Sequence, residues 1–287
     1  MLKILKSFFD ILKEAFFEWV DDNASQLAAG ISYYTIFSLA PLLVITTSIA
    51  GIFFGEDAIQ GKLVSEIEGF VGLQTAKIIE TMLIGIGEDY SNIFVGIFGF
   101  ALLFFGASKA VIELENAFNK IWRVKPKEHS NIFLDLLMER LNSFLTIFLS
   151  GFLLLSILII SATLNFFSGL LQELLPQVRI FWKVLEFFAS LGISSLVFAT
   201  LFKSIPNEKI AWSDVWLGSI CTSLLFLLSK FLLNLYISSG SFATVYGAAS
   251  SLIILLVWIY YSIQILFLGA EISFVYSKKF GSKKMSA

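Results

Sequence analysis

The chain has 287 residues, 57% of them apolar and only 15% charged, with a mean hydropathy of +0.85. That apolar share exceeds the roughly even balance of a soluble domain and marks a membrane protein. A formal net charge of -2 gives no footprint for nucleic acid or another polyanion, and one cysteine with one histidine supplies neither a disulfide framework nor a zinc site.

Residues 1–26 come first. Leu5, Phe8, Phe9, Leu12, Phe16 and Trp19 recur at helical spacing, which predicts an amphipathic helix lying on the cytosolic membrane surface. Asp10, Glu14, Glu18, Asp21 and Asp22 break the charged-then-apolar order of a cleavable signal, so no removal is expected. A spanning helix needs about 20 mostly apolar residues. Six runs meet that length, near 28–54, 92–112, 143–166, 180–202, 215–237 and 249–275. They are continuous rather than alternating, so the fold class is an all-α integral membrane protein with six transmembrane helices, not a barrel. Between the first two runs, residues 56–92 hold seven acidic residues against two lysines. An apolar stripe through Leu63, Ile67, Phe70, Ile78 and Met82 makes this a long, helical first outer loop. No linker or internal repeat interrupts the chain, so residues 1–287 read as a single polytopic domain.

Orientation follows from the basic residues. Most of the 20 fall on one side, among them Lys3, Lys13, Lys120, Arg123, Lys203 and Lys279, while Lys62, Lys77, Arg179 and Lys183 fall on the other. The positive-inside rule then puts the N and C termini in the cytosol. The lysines near the C terminus can also meet anionic lipid headgroups.

A charge near the bilayer centre costs about 2.5–3.5 kcal/mol on insertion scales, so polar residues inside the spans are the candidates for function. Lys109, Glu113, Asn116 and Lys120 share a helical face of the second span. Ser219, Ser223, Lys230 and Asn234 do so on the fifth, and Tyr261, Gln264 and Glu271 on the sixth. From the helical rise, Lys109 lies about 25 Å from the outer start of its span, near the cytosolic boundary, whereas Lys230 lies about 22 Å from the cytosolic edge of its own. This predicts a cluster of Tyr33, Lys109, Glu113 and Glu271 at the cytosolic end, with Lys109 and Glu271 as ionised partners. Lys230 and Asn234 fall nearer the outer mouth. The alternatives are snorkelling to the interface or a structural ion pair.

Tyr33 and Tyr34 stand at the cytosolic edge of the first span, and Pro41 deprives the Phe37 carbonyl of its helical partner. A kink of that kind suits a pathway-lining helix, or a packed one whose freed carbonyl meets a Ser or Thr. Trp258 with Tyr260 and Tyr261 lies deep enough for lining or packing, while Trp122, Trp212 and Trp216 read as interface anchors. Gly106 with Ala110, Gly247 with Ser251, and Gly269 with Ala270 permit close helix contact. No nucleotide or cofactor motif occurs, so any transport is driven by a gradient or by partners.

Four segments, "LAAGISYYTIFSLAPLL", "FFGASKAVIELENAFNKIWRV", "SIPNEKIAWSDVWLGS" and "VYGAASSLIILLVWIYYSIQILFLGAEIS", resemble the recurring blocks of the YihY/virulence factor BrkB family, in order from residue 27 to 275. The resemblance implies a multi-pass bacterial inner-membrane protein with six helices. Members are described as transporters or permeases, with lipid or small-solute export suggested, and many carry an old ribonuclease label. The residues do not support that label: His129 is the sole histidine, and no carboxylate-held metal or basic aromatic groove accompanies it. Neither catalytic residues nor a metal or cofactor are expected. Two functions fit. One is a transporter exporting an amphiphilic or small anionic solute, with membrane lipids as partners and a pathway drawn from Tyr33, Tyr34, Pro41, Lys109, Glu113, Lys230, Asn234, Tyr261, Gln264 and Glu271. The other is a non-transporting scaffold or envelope assembly factor whose polar stripes hold helices together.

Overall fold

A computed structural model describes residues 2–38, 93–124, 179–238 and 250–283. Among these the regular structure is helical: α1 (Leu2–Asp21), a helical stretch at 24–38, α2 (Ile93–Ile121), α3 (Arg179–Ser204), α4 (Trp212–Ser238) and α5 (Ser250–Lys279). The last four helices fall on the runs expected at 92–112, 180–202, 215–237 and 249–275. The run near 143–166, the loop 56–92, Pro41 and His129 lie outside the described residues. Among the described residues three segments, Phe187–Ser204, Trp212–Ser229 and Ile253–Lys279, are long and apolar enough to cross a membrane.

Contacts divide the chain into two compact units. One comprises Met1–Ser25, Leu114–Leu225 and Gln264–Ala287; the other comprises Gln26–Glu113 and Phe226–Ile263.

In the first unit α1 is more than a surface leader. Ile11 and Ala15 are buried against Ile272 and Val275 of α5, with Leu12 and Leu268 alongside. Lys279 pairs with Glu14 at 2.5 Å and Lys278 with Glu18 at 3.7 Å, while Trp19 Nε1 donates to the Gln264 carbonyl. The opposite face leaves Phe9, Phe16, Phe17 and Val20 exposed, as a lipid-facing helix would. At Asn23, where φ is 54°, the chain turns into the next helix, and asparagine is among the few residues that take this left-handed conformation readily.

Phe118 of α2, Phe202 of α3 and Phe267 of α5 are fully buried, the Phe118 ring 5.9 Å from Phe202 and 6.0 Å from Phe267. Helices α4 and α5 approach through small residues. A Cβ placed on Gly269 would collide with Thr222 Oγ1 and reach Phe202 Cζ at 3.0 Å, and one on Gly218 would collide with Ser273 Oγ and the Gly269 carbonyl. The hydroxyls here bond within their own helices, Thr222 to the Gly218 carbonyl and Ser219 to the Val215 carbonyl, so they cost nothing unsatisfied at membrane depth. Ser195 Oγ also bonds Ser223 Oγ across from α3 to α4. Ser223 of the expected polar stripe thus ties α4 to α3, while Ser219 is buried and bonded within α4.

The helix ends of this unit are laced together. Asn207 N and Nδ2 donate to Asn119 Oδ1 and Glu115 Oε1, Lys203 Nζ to the Ile210 carbonyl, and Ser282 N and Oγ to Asp214. Lys283 pairs with Glu208 at 2.6 Å. The C-terminal ends of α2, α3 and α5 and the N-terminal end of α4 therefore share one side of the unit. Trp122, expected as an interface anchor, is instead buried against Phe274 with ring centroids 5.7 Å apart, while Trp212 and Trp216 remain substantially exposed. Trp122 precedes the turn that closes α2, which rolls its ring under α5 rather than outward.

In the second unit Gly106 of α2 sits against Ser38 and the Tyr34 carbonyl, with space for an added Cβ only 3.2 Å from Ser38 Cβ. Trp258 packs edge-on to Phe226 at 5.9 Å, the packing role rather than an interfacial one.

Candidate functional site

The site builds from the C-terminal turn of α2. The amides of Arg123 and Val124 donate to the carbonyls of Lys120 and Asn119, and Arg123 has φ of 55°. Glycine is the usual occupant of that left-handed position, because a Cβ costs on the order of 1 kcal/mol there. Here the position holds an arginine, and the turn aims its side chain at α1. Arg123 Nη1 donates to Asp22 Oδ1 at 2.6 Å and Nη2 to Glu18 Oε2. Burial works against the Arg123 charge, but its bonds to Asp22 and Glu18 and their negative charges outweigh burial and hold its pKa above the ordinary value. Lys120 Nζ adds a bond of 2.5 Å to the Asp22 main-chain carbonyl.

Asp22 directly follows α1 and is buried, and only one of its two carboxylate oxygens has a donor. Asp22 Oδ2 is without a partner. Glu271 of α5 is 0% exposed, and neither Oε1 nor Oε2 accepts a hydrogen bond. The charged groups facing it are the Asp22 carboxyl, within hydrogen-bonding reach, then Arg123 and Glu18. Phe274, one turn below Glu271, is covered by the Arg123 guanidinium at 5.8 Å and by Lys278 Nζ at 4.3 Å. These cations are spent on Asp22, Glu18 and the aromatic ring.

Lys109 and Glu113 form an ion pair of 3.5 Å along α2, with Lys109 more than half exposed. The expected pairing of Lys109 with Glu271 gives way to Lys109 with Glu113 in one unit and Glu271 beside Asp22 in the other. Tyr33 is exposed and stacks edge-on against Tyr34 and obliquely on Phe37, with centroids at 5.5 and 4.8 Å. Tyr261 is exposed, and Gln264 engages Trp19 through its main-chain carbonyl. Lys230 and Asn234 lie on α4, their side chains outside the described residues. Among the described residues no group of His, Cys, Asp and Glu is arranged to hold a metal ion.

A family model described as Virulence factor BrkB matches residues 15–287. The chain belongs to the virulence factor BrkB family. Curated relatives bear the name UPF0761 membrane protein. That of Verminephrobacter eiseniae (strain EF01-2) is 29% identical over 259 residues, covering 88% of this chain and 58% of the relative. That of Pseudoalteromonas translucida (strain TAC 125) is 29% identical over 262 residues, covering 88% and 81%. That of Rhodospirillum centenum (strain ATCC 51521 / SW) is 26% identical over 267 residues, covering 92% and 56%. The chain thus spans little more than half the length of two of these relatives. No solved structure matches it. Relatives named as membrane proteins and helices of spanning length put this BrkB-family chain in a membrane.

Sequence reasoning found Glu271 and missed its neighbours. Asp22 reads as one more charge of an amphipathic leader, and Arg123 as a topology signal. The available cue is an acidic residue followed by Asn, directly before an apolar helix, because that pair marks a tight turn bringing its carboxylate to the helix ends.

Proposed function

We propose that this BrkB-family protein is a six-span, multi-pass protein of the bacterial inner membrane, with both termini in the cytosol, that exports an amphiphilic or small anionic solute. The observation that carries the transport reading is Glu271. A fully buried carboxyl without a donor, on a helix apolar enough to span a membrane, destabilises the fold, and such groups are retained where an ion or solute must be handled. The orientation is supported by the laced helix ends, where Lys120, Arg123, Lys203, Lys278 and Lys283 gather on one side. Pathway residues remain assigned as expected from sequence, in particular Tyr33, Lys109 and Glu113, with membrane lipids and their anionic headgroups as the partners. No enzymatic step is assigned.

A scaffold or assembly role is the second reading. It is favoured by the Lys109–Glu113 pair and by the Ser195–Ser223 hydroxyl bond that joins α3 to α4. Reconstitution into liposomes, with a panel of phospholipids and small anions, separates the two. Movement of any member above that of protein-free vesicles supports transport; a folded protein that moves none of them supports the scaffold.

A further inference from the structure

Three acceptor oxygens of the first unit are buried without a hydrogen-bond partner, Asp22 Oδ2, Glu271 Oε1 and Glu271 Oε2, as is the donor Trp122 Nε1, and the Asp22 carboxyl is the first of the charged groups that face Glu271. Glu271 is completely enclosed and Asp22 is 3% exposed, so bulk water does not supply the missing bonds. Every cation nearby is engaged elsewhere. Arg123 donates through Nη1 to Asp22 Oδ1 and the Lys120 carbonyl and through Nη2 to Glu18, Lys120 Nζ donates to the Asp22 main-chain carbonyl, and Lys278 faces Glu18 and the Phe274 ring. Two ionised carboxylates in contact are both acceptors, so neither can satisfy the other, and their repulsion adds to the cost of burial. A single proton removes both difficulties, turning one oxygen into a donor and leaving one negative charge opposite the Arg123 guanidinium.

We propose that Asp22 and Glu271 form a proton-binding site, in which one proton is shared between Glu271 and Asp22 Oδ2 and fastens the end of α1 to α5. Asp22 stays paired with Arg123 through Oδ1 while Oδ2 accepts from the Glu271 carboxyl. The proton is the ligand, and its departure leaves two adjacent carboxylates that only separation of α1 from α5 relieves. The site stands on its own geometry, whether or not a solute moves through the protein; within the transport reading it is where a proton gradient would act.

The test is infrared spectroscopy of the full-length protein in lipid nanodiscs at neutral pH, comparing the native protein with Glu271→Gln and Asp22→Asn. The isosteric glutamine carries donors of its own and preserves the fold. The expected result is a protonated-carboxyl C=O band in the native protein that is lost in Glu271→Gln and shifted in Asp22→Asn, where the strong acceptor is gone. Two results overturn the proposal: a native spectrum with no band that Glu271→Gln removes, and a Glu271 band that Asp22→Asn leaves in place. If Asp22→Asn fails to fold, Asp22→Glu takes its place, and a band identical to the native one overturns the sharing. A negative transport assay leaves these outcomes untouched.

Discussion

Arg123 occupies a backbone conformation that suits glycine, and its side chain accounts for that choice. Replacing it with glycine relieves about 1 kcal/mol of backbone strain but removes the donors to Asp22 and Glu18. Charge-assisted bonds contribute about 1.5–3 kcal/mol each when enclosed, and less for a guanidinium that is about 42% exposed. Arg123→Gly is therefore expected to destabilise by on the order of 1 kcal/mol, read as a lower thermal midpoint in detergent. An unchanged or higher midpoint would show that the ion pairs contribute less than the strained turn. A double-mutant cycle of Arg123→Ala with Asp22→Asn should give a coupling of about 1–2 kcal/mol, and additive effects would count against the pairing. This cluster was half legible in the sequence. Helical spacing on one span exposes Glu271, but a partner delivered by a turn between α1 and the next helix leaves no periodic trace. Trp122 was misread for the same reason, since whether a tryptophan at a helix end faces lipid or the bundle depends on the turn that follows.

Among the elements, α4 and α5 depend on the absence of side chains at Gly218 and Gly269. Gly269→Ala drives a methyl group into Thr222 and Phe202 and is expected to destabilise by about 1–3 kcal/mol, the usual range for overpacking. Gly30 has nothing within 4 Å of an added Cβ, so Gly30→Ala should be neutral or mildly stabilising. Thermal unfolding of both variants checks the contrast, and equal losses would mean that glycine content rather than the α4–α5 approach is what matters. Four helix positions could be read from continuous apolar runs alone, three of them with segments long and apolar enough to cross a membrane, because a helix that must satisfy its own backbone in lipid has few lengths open to it. The docking of α1 could not. Its apolar stripe predicts a buried face without saying whether lipid or protein covers it, and the structure gives Ile11 and Ala15 to α5 while leaving Phe16 and Phe17 outward.

At the scale of the molecule, the first unit gathers helix ends on a basic side and holds a buried acid, Glu271. Single cysteines introduced at Glu208 and Ser282, in a background with Cys221 replaced, are expected to react with impermeant reagent only from the cytosolic side, and cysteines within 56–92 only from outside. Labelling of 208 and 282 from opposite sides would break the proposed orientation. The central claim is that Glu271 serves transport rather than packing, and it is tested most directly in proteoliposomes under an imposed pH gradient. With the solute found by the panel, native protein should move it, whereas Glu271→Gln, folded and inserted to the same extent, should lose at least tenfold in rate, a barrier increase of about 1.4 kcal/mol. Equal rates for the two proteins would contradict the account and leave Glu271 as a structural residue.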